Sequence, residues 1–211
     1  MVAAISDAYA SCEEYRARVD HIDATDDDRL LSQLMAVSRY LDQRLRRFFS
    51  RDAAVVVRTL DGNGQRRLYV PDIATATGLI VKVDLDGDFD FDAADETLIR
   101  DTHFWVGPAN ADKGPEVWPF ENLEIIPGNG RLWRWPERAR AVQVTASFGW
   151  PAVPGAIREA TISVTRQLRD MLEAGATLTL QSIETAVNVS PNMSALLLDM
   201  ERQYAKQQWF A

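Results

Sequence analysis

"VQVTASFGWPAVPGAIREATISVTRQL", residues 142–168, decides the fold, because the hydrophobic period changes inside it. Val142, Val144 and Ala146 alternate with Gln143 and Thr145, the spacing of a strand with one buried face. Beyond Trp150, residues Ile157, Ala160, Val164, Leu168 and Met171 recur at intervals of three and four, the stripe of an amphipathic helix. Between the two lies a corner of Gly149, Trp150, Pro151 and Pro154. Each proline fixes its own φ and restricts the residue before it, and a glycine lets another backbone come close. The corner is therefore expected to be stiff and to set the angle between a β block and the helices. Pro154 falls near the first helical turn, where a missing N–H costs little, and Gly175 is a natural stop.

Upstream, Ser11 and Glu14 form an S-x-x-E capping box that opens a short helix. A longer helix follows over "ATDDDRLLSQLMAVSRYLDQRLRRFF", with Thr25 as its cap and Asp26, Asp27 and Asp28 suiting the positive end of its dipole. Leu30, Leu34, Val37, Leu41, Leu45 and Phe48 give its apolar stripe. Arg44, Arg46 and Arg47 sit near its end. They could hold phosphate, but a favourable helix-end charge is the simpler account.

From about residue 54 the period is two. "AVVVRTL", "DGNG" and "QRRLYVP" read as a hairpin, and "GLIVKVDLDGDFDFDA" as another. "HFWVGP", "LEIIP" and "RAVQVTASFGW" are further strands. Downstream, "ATLTLQSIETAVNV" alternates weakly and is read as extended, whereas Ser190 and Pro191 cap a last helix with Leu197, Met200 and Tyr204 on its apolar face. The expectation is an α+β chain: a helical bundle from the N- and C-terminal helices (1–53 and 150–211) with an antiparallel β-hairpin insert (54–149).

Composition narrows the function. The 211-residue chain carries a formal net charge of −8, which argues against gripping nucleic acid through phosphates. Cys12 is the only cysteine, so no internal disulfide or Cys-based zinc site can form, and an intracellular origin is expected. No secretory signal and no membrane-spanning run is expected. His21 and His103 lie in no ligand or catalytic spacing, Cys12 has no flanking nucleophile motif, and no cofactor is expected.

The run "VDLDGDFDFDAADE", residues 83–96, alternates Asp84, Asp86, Asp88, Asp90 and Asp92. It reads as a solvated hairpin tip, with Asp86-Gly87 in the turn, Val83 facing Phe89 and Lys82 facing Asp90. A register shifted by two residues keeps the same faces. Calcium is disfavoured, because counting an EF-hand loop from Asp84 puts Phe89 where glycine belongs and Asp95 where glutamate belongs. In "GRLWRWPERARA", Trp133 and Trp135 are placed on one strand face, where packing or a subunit contact is favoured over base stacking.

Taken together, "FGWPAVP" running into "AIREAT", the paired Phe48 and Phe49, "DGNG", "LYVPDI", "VDLDGDFDF" and the turn with Asn110 and Lys113-Gly114-Pro115 resemble the head-to-tail adaptor (connector) proteins of tailed bacteriophages and related gene transfer agents. The likeness covers about residues 9–170 and is weakest from 176 onward. It implies a non-enzymatic virion neck protein, found in the host cytoplasm during assembly. It also implies a ring, commonly of twelve copies, beneath the portal protein and above a tail-ward neck or stopper protein, with double-stranded DNA passing through without sequence-specific binding. A rigid corner suits such a ring, which closes only at a defined rotation. The acidic charge suits a channel wall to which DNA does not stick. The resemblance points to the C-terminal segment for portal binding, here Tyr204, Gln207, Gln208, Trp209 and Phe210. Trp209 and Phe210 either anchor there or fold back on their own subunit. The alternatives are a carbohydrate- or ligand-binding β module using the Trp133/Trp135 surface, and a carboxylate-dependent hydrolase.

Overall fold

A computed structural model describes residues 8–19, 26–93, 96–114, 116–128, 130–188 and 191–205. The chain is α+β, and its described residues divide into two compact units: a helical unit up to Phe49 and from Val153 through the last helix, and a β unit from Ser50 to Ala152.

The helical unit contains α1 (Cys12–Arg16), α2 (Asp27–Leu45), α3 (Gly155–Glu173), α4 (Leu180–Asn188) and α5 (Pro191–Tyr204). The Ser11–Glu14 capping box closes both ways, with Ser11 Oγ accepting from Glu14 N at 3.1 Å and Glu14 Oε2 accepting from Ser11 N at 2.8 Å. The α2 stripe from Leu30 to Leu45 is buried, and Ile157, Ala160, Val164 and Leu168 of α3 form a matching stripe. Phe48 departs from expectation. The helix ends at Leu45, Arg46 turns left-handed, and Phe48 is exposed beneath the Arg39 guanidinium while Phe49 takes the buried place. Asp26 is the N-cap residue of α2; the expected caps Thr25 and Ser190 lie outside the described residues, as does His21.

The segment read as extended after Gly175 is instead α4. Thr179 and Ser182 cap it reciprocally: Ser182 N donates to Thr179 Oγ1 at 3.1 Å, and Thr179 N to Ser182 Oγ at 2.9 Å. Ile183, Ala186 and Val187 then fall on one buried face, which outweighs the weak alternation.

Among the described residues the β unit has seven strands: β1 (Val56–Leu60), β2 (Arg67–Ile73), β3 (Ile80–Val83), β4 (Thr97–Leu98), β5 (Phe104–Gly107), β6 (Phe120–Ile125) and β7 (Val142–Ala146). All pairings are antiparallel, in the orders β1-β7-β3-β4 and β2-β6-β5. Val81, Val83, Val142 and Val144 from one sheet meet Leu68, Val70, Phe104, Leu123 and Ile125 from the other in a single core.

Neither expected hairpin forms. β1 pairs with β7 and β2 with β6, so the Asp61–Gly64 loop carries the chain from one sheet to the other. That loop is held by the 136–140 segment: Gly62 N donates to Arg138 O at 2.9 Å and Arg140 N to Asp61 Oδ1 at 2.7 Å. β3 pairs with β4 and β7, placing Lys82 opposite Thr97 and Gln143 rather than Asp90. The intervening residues 84–93 form a loop, not a strand.

Candidate assembly surfaces

The corner after β7 is built on a glycine that no other residue replaces without strain. Gly149 has φ +100°, and an added Cβ would overlap the Ser50 carbonyl oxygen. Its N–H donates to Asp72 O at 2.7 Å, and the neighbouring Phe148 carbonyl accepts from Asp52 N at 2.8 Å. Trp150 is fully buried, with its ring centroid 5.0 Å from that of Trp118. Pro151 is half-buried, and the buried Pro154 is the N-cap residue of α3. These four residues thus terminate the β unit and open the next helix.

The two tryptophans placed on one face diverge, because residues 131–141 are not a strand. Trp135 is 1 % exposed and its Nε1 donates to Arg66 O at 3.1 Å and Leu123 O at 3.3 Å. Trp133 is 75 % exposed. Trp135 therefore belongs to the core of the β unit, and of the two only Trp133 is exposed.

Tyr204 is likewise committed inward. It is buried, its ring meets Phe49 edge-on at 6.0 Å, and its carbonyl accepts from Arg47 Nη1 at 3.2 Å. That packing places the Tyr204 side chain inside the helical unit rather than on its surface. Gln207, Gln208, Trp209 and Phe210 lie outside the described residues.

Two further surfaces escaped the sequence. β1 is a sheet edge, and its Val56 and Val57, with Val55 just before it, are exposed. A β-branched edge with one unpaired side is a template for another chain. The outer face of β2-β6-β5 carries an open groove of about 580 Å³ lined by Arg67, Trp105, Gly107, Asn122 and Glu124. Arg67 Nη2 pairs with Glu124 Oε2 at 2.7 Å on its floor. The signal for both was present in "VVV" and "FWVG", but strand order was needed to know which faces stay open.

Two titratable groups away from these surfaces have backbone partners. His103 is buried, and its Nδ1 accepts from Ile99 N at 2.8 Å; burial and then the nearby Arg131 charge lower its pKa. Cys12 Sγ lies 3.8 Å from Asp27 O, and burial raises its pKa. Among the described residues no helix is long and apolar enough to cross a membrane.

No known family profile and no curated protein matches the chain. Among solved structures, it is similar to a chain of the neck of an empty gene transfer agent (GTA) particle computed with C6 symmetry, at a TM-score of 0.53 and 17 % identity. The match covers 100 % of this chain and 96 % of that one, so both units of the protein share the fold of a particle-neck component.

Proposed function

We propose that this chain is a structural head-to-tail adaptor subunit of a phage-like particle, assembling as a ring in the neck beneath the portal. The observation that carries this reading is the end-to-end likeness to a neck chain, which spans both units. The C6 symmetry of that neck suits rings of six or twelve copies, and twelve is the number proposed here. In this reading β1, with Val55–Val57 exposed, and Trp133 supply contacts between copies. The corner from Gly149 to Pro154 holds each copy at the rotation that closes the ring. Gln207, Gln208, Trp209 and Phe210 reach the portal, and the β unit faces the tail-ward neighbour. The acidic surface lets double-stranded DNA pass without specific binding. No catalytic step is assigned to any residue.

Negative-stain imaging of the purified protein, alone and mixed with its portal protein, tests the proposal. Rings, free or on portals, are expected. A monomer that neither self-associates nor joins the portal overturns it. One observation favours a second reading, a ligand-binding β module: the groove with Trp105 beside Arg67 and Asn122 has the aromatic and polar lining a sugar requires. Saturable glycan binding lost in Trp105→Ala, by a protein that forms no ring, would select it.

A further inference from the structure

The loop joining β3 to β4 contains a feature to which the proposed function gives no role. Asp84, Asp86 and Asp88 each bring a carboxylate oxygen within 4.8 Å of the others. Asp84 is fully buried at the end of β3, where its N–H donates to Ala141 O at 3.0 Å. Its Oδ1 is occupied, accepting from Gly87 N at 2.7 Å and facing Arg138 Nη2 at 2.9 Å. Its Oδ2 is buried and accepts no hydrogen bond from any of the described residues. A carboxylate oxygen removed from water with nothing to replace it is costly, and a cation is the partner such an oxygen lacks.

We propose that this loop is a divalent-cation site suited to Ca²⁺, held by the free Asp84 oxygen together with Asp86 and Asp88. All the side-chain donors are carboxylate oxygens, the ligand type of a hard cation. Their spacing reproduces positions one, three and five of an EF-hand loop. The sixth position of that loop requires a sharp turn ordinarily made by glycine. Here Phe89 makes it with φ +68°, removing one of the two objections read from the sequence. The twelfth position, Asp95, lies outside the described residues, and Glu96 is buried with Oε1 and Oε2 accepting from Leu85 N and Ala93 N, each at 3.2 Å. Glu96 thus braces the loop rather than completing the ligand set. Among the described residues Arg138 is the one cation paired with the cluster; it offsets one carboxylate of the three and leaves the site net negative.

Calorimetric titration of the chelator-treated full chain with CaCl₂ tests the site. One saturable site is expected, with Kd on the order of 10⁻⁵–10⁻³ M, the weak end for loops without a bidentate glutamate. Asp86→Asn and Asp88→Asn alter exposed side chains, so the fold should survive, as circular dichroism will show. Each should weaken binding about tenfold or more. Asp199→Asn, an exposed carboxylate elsewhere, should change nothing. Mg²⁺ should bind more weakly, because it demands tighter octahedral geometry. Absence of saturation at about 10 mM Ca²⁺, equal binding of Mg²⁺, or the same affinity in Asp88→Asn and the parent overturns the proposal.

Discussion

Replacing Gly149 by alanine places a methyl group where the structure has none to spare. Two costs follow. An L-residue at φ +100° is strained by about 1–3 kcal/mol. The new Cβ must also displace Ser50, whose carbonyl it would overlap, and that shift disturbs two neighbouring backbone bonds. Gly149 N to Asp72 O (2.7 Å) and Asp52 N to Phe148 O (2.8 Å) are each worth about 1 kcal/mol. The expected loss is therefore about 3–5 kcal/mol, or about 6–20 °C in Tm for a chain of this size. Gly78→Ala is the control, since Gly78 has φ +75° but nothing within 4 Å of an added Cβ. It should cost only the backbone share, about 1–2 kcal/mol. Urea unfolding followed by tryptophan fluorescence separates the two, because Trp118 and Trp150 sit together beside the corner. Equal losses within about 0.5 kcal/mol would refute close packing as the reason for a glycine at this position.

The remaining expectations are shorter. Trp135→Ala should cost about 3–5 kcal/mol in urea unfolding, whereas Trp133→Ala should leave the isolated subunit within about 0.5 kcal/mol of the parent and reduce ring formation by size-exclusion chromatography. Truncation after Lys206 should leave circular dichroism unchanged and reduce copurification with the portal protein; undiminished copurification would remove the anchor role of Trp209 and Phe210. His103 has a lowered folded-state pKa, so its contribution is complete above the unfolded value near 6.5 and is lost as pH falls through the folded value. Thermal stability measured from pH 7.5 downward should fall, and His103→Asn, which can keep an acceptor for Ile99 N, should flatten that slope.

How much of this was legible can be judged element by element. The strand-to-helix switch at Trp150, the α2 and α3 stripes and the Ser11 box rest on local chemistry, and each stands in the structure. Strand partners did not follow, because a period of two identifies a strand without naming its neighbour. β1 and β2 are adjacent in sequence yet belong to different sheets, since β7 offers β1 a buried valine-rich partner. The aspartate run misled for a related reason. Asp86, Asp88 and Asp90 each accept from the backbone N–H two residues on, at 3.2, 2.9 and 3.1 Å. Successive Asx turns also repeat every second residue, so the spacing mimics a strand face while the backbone is a loop. Trp133 and Trp135 share a face only if the segment is extended, and a loop sends one inward and the other out.

The arginines at the end of α2 show how a local reading can be right in kind and still miss the partner. Positive charge near a helix C-terminus needs no tertiary structure to be favourable. Here Arg47 instead serves a carbonyl of another helix, Tyr204 O at the end of α5, while Arg44 joins Tyr40 Oη and Glu201. Together with the burial of the Tyr204 ring against Phe49, this pins the point from which the following residues depart. Phe210 stands six residues beyond Tyr204, and an extended chain spans at most about 3.6 Å per residue, so its reach is about 20 Å. The proposed portal contact must therefore lie close to the C-terminal ends of α2 and α5. If the proposed contact exists, the buried Tyr204 is the point from which its reach is measured.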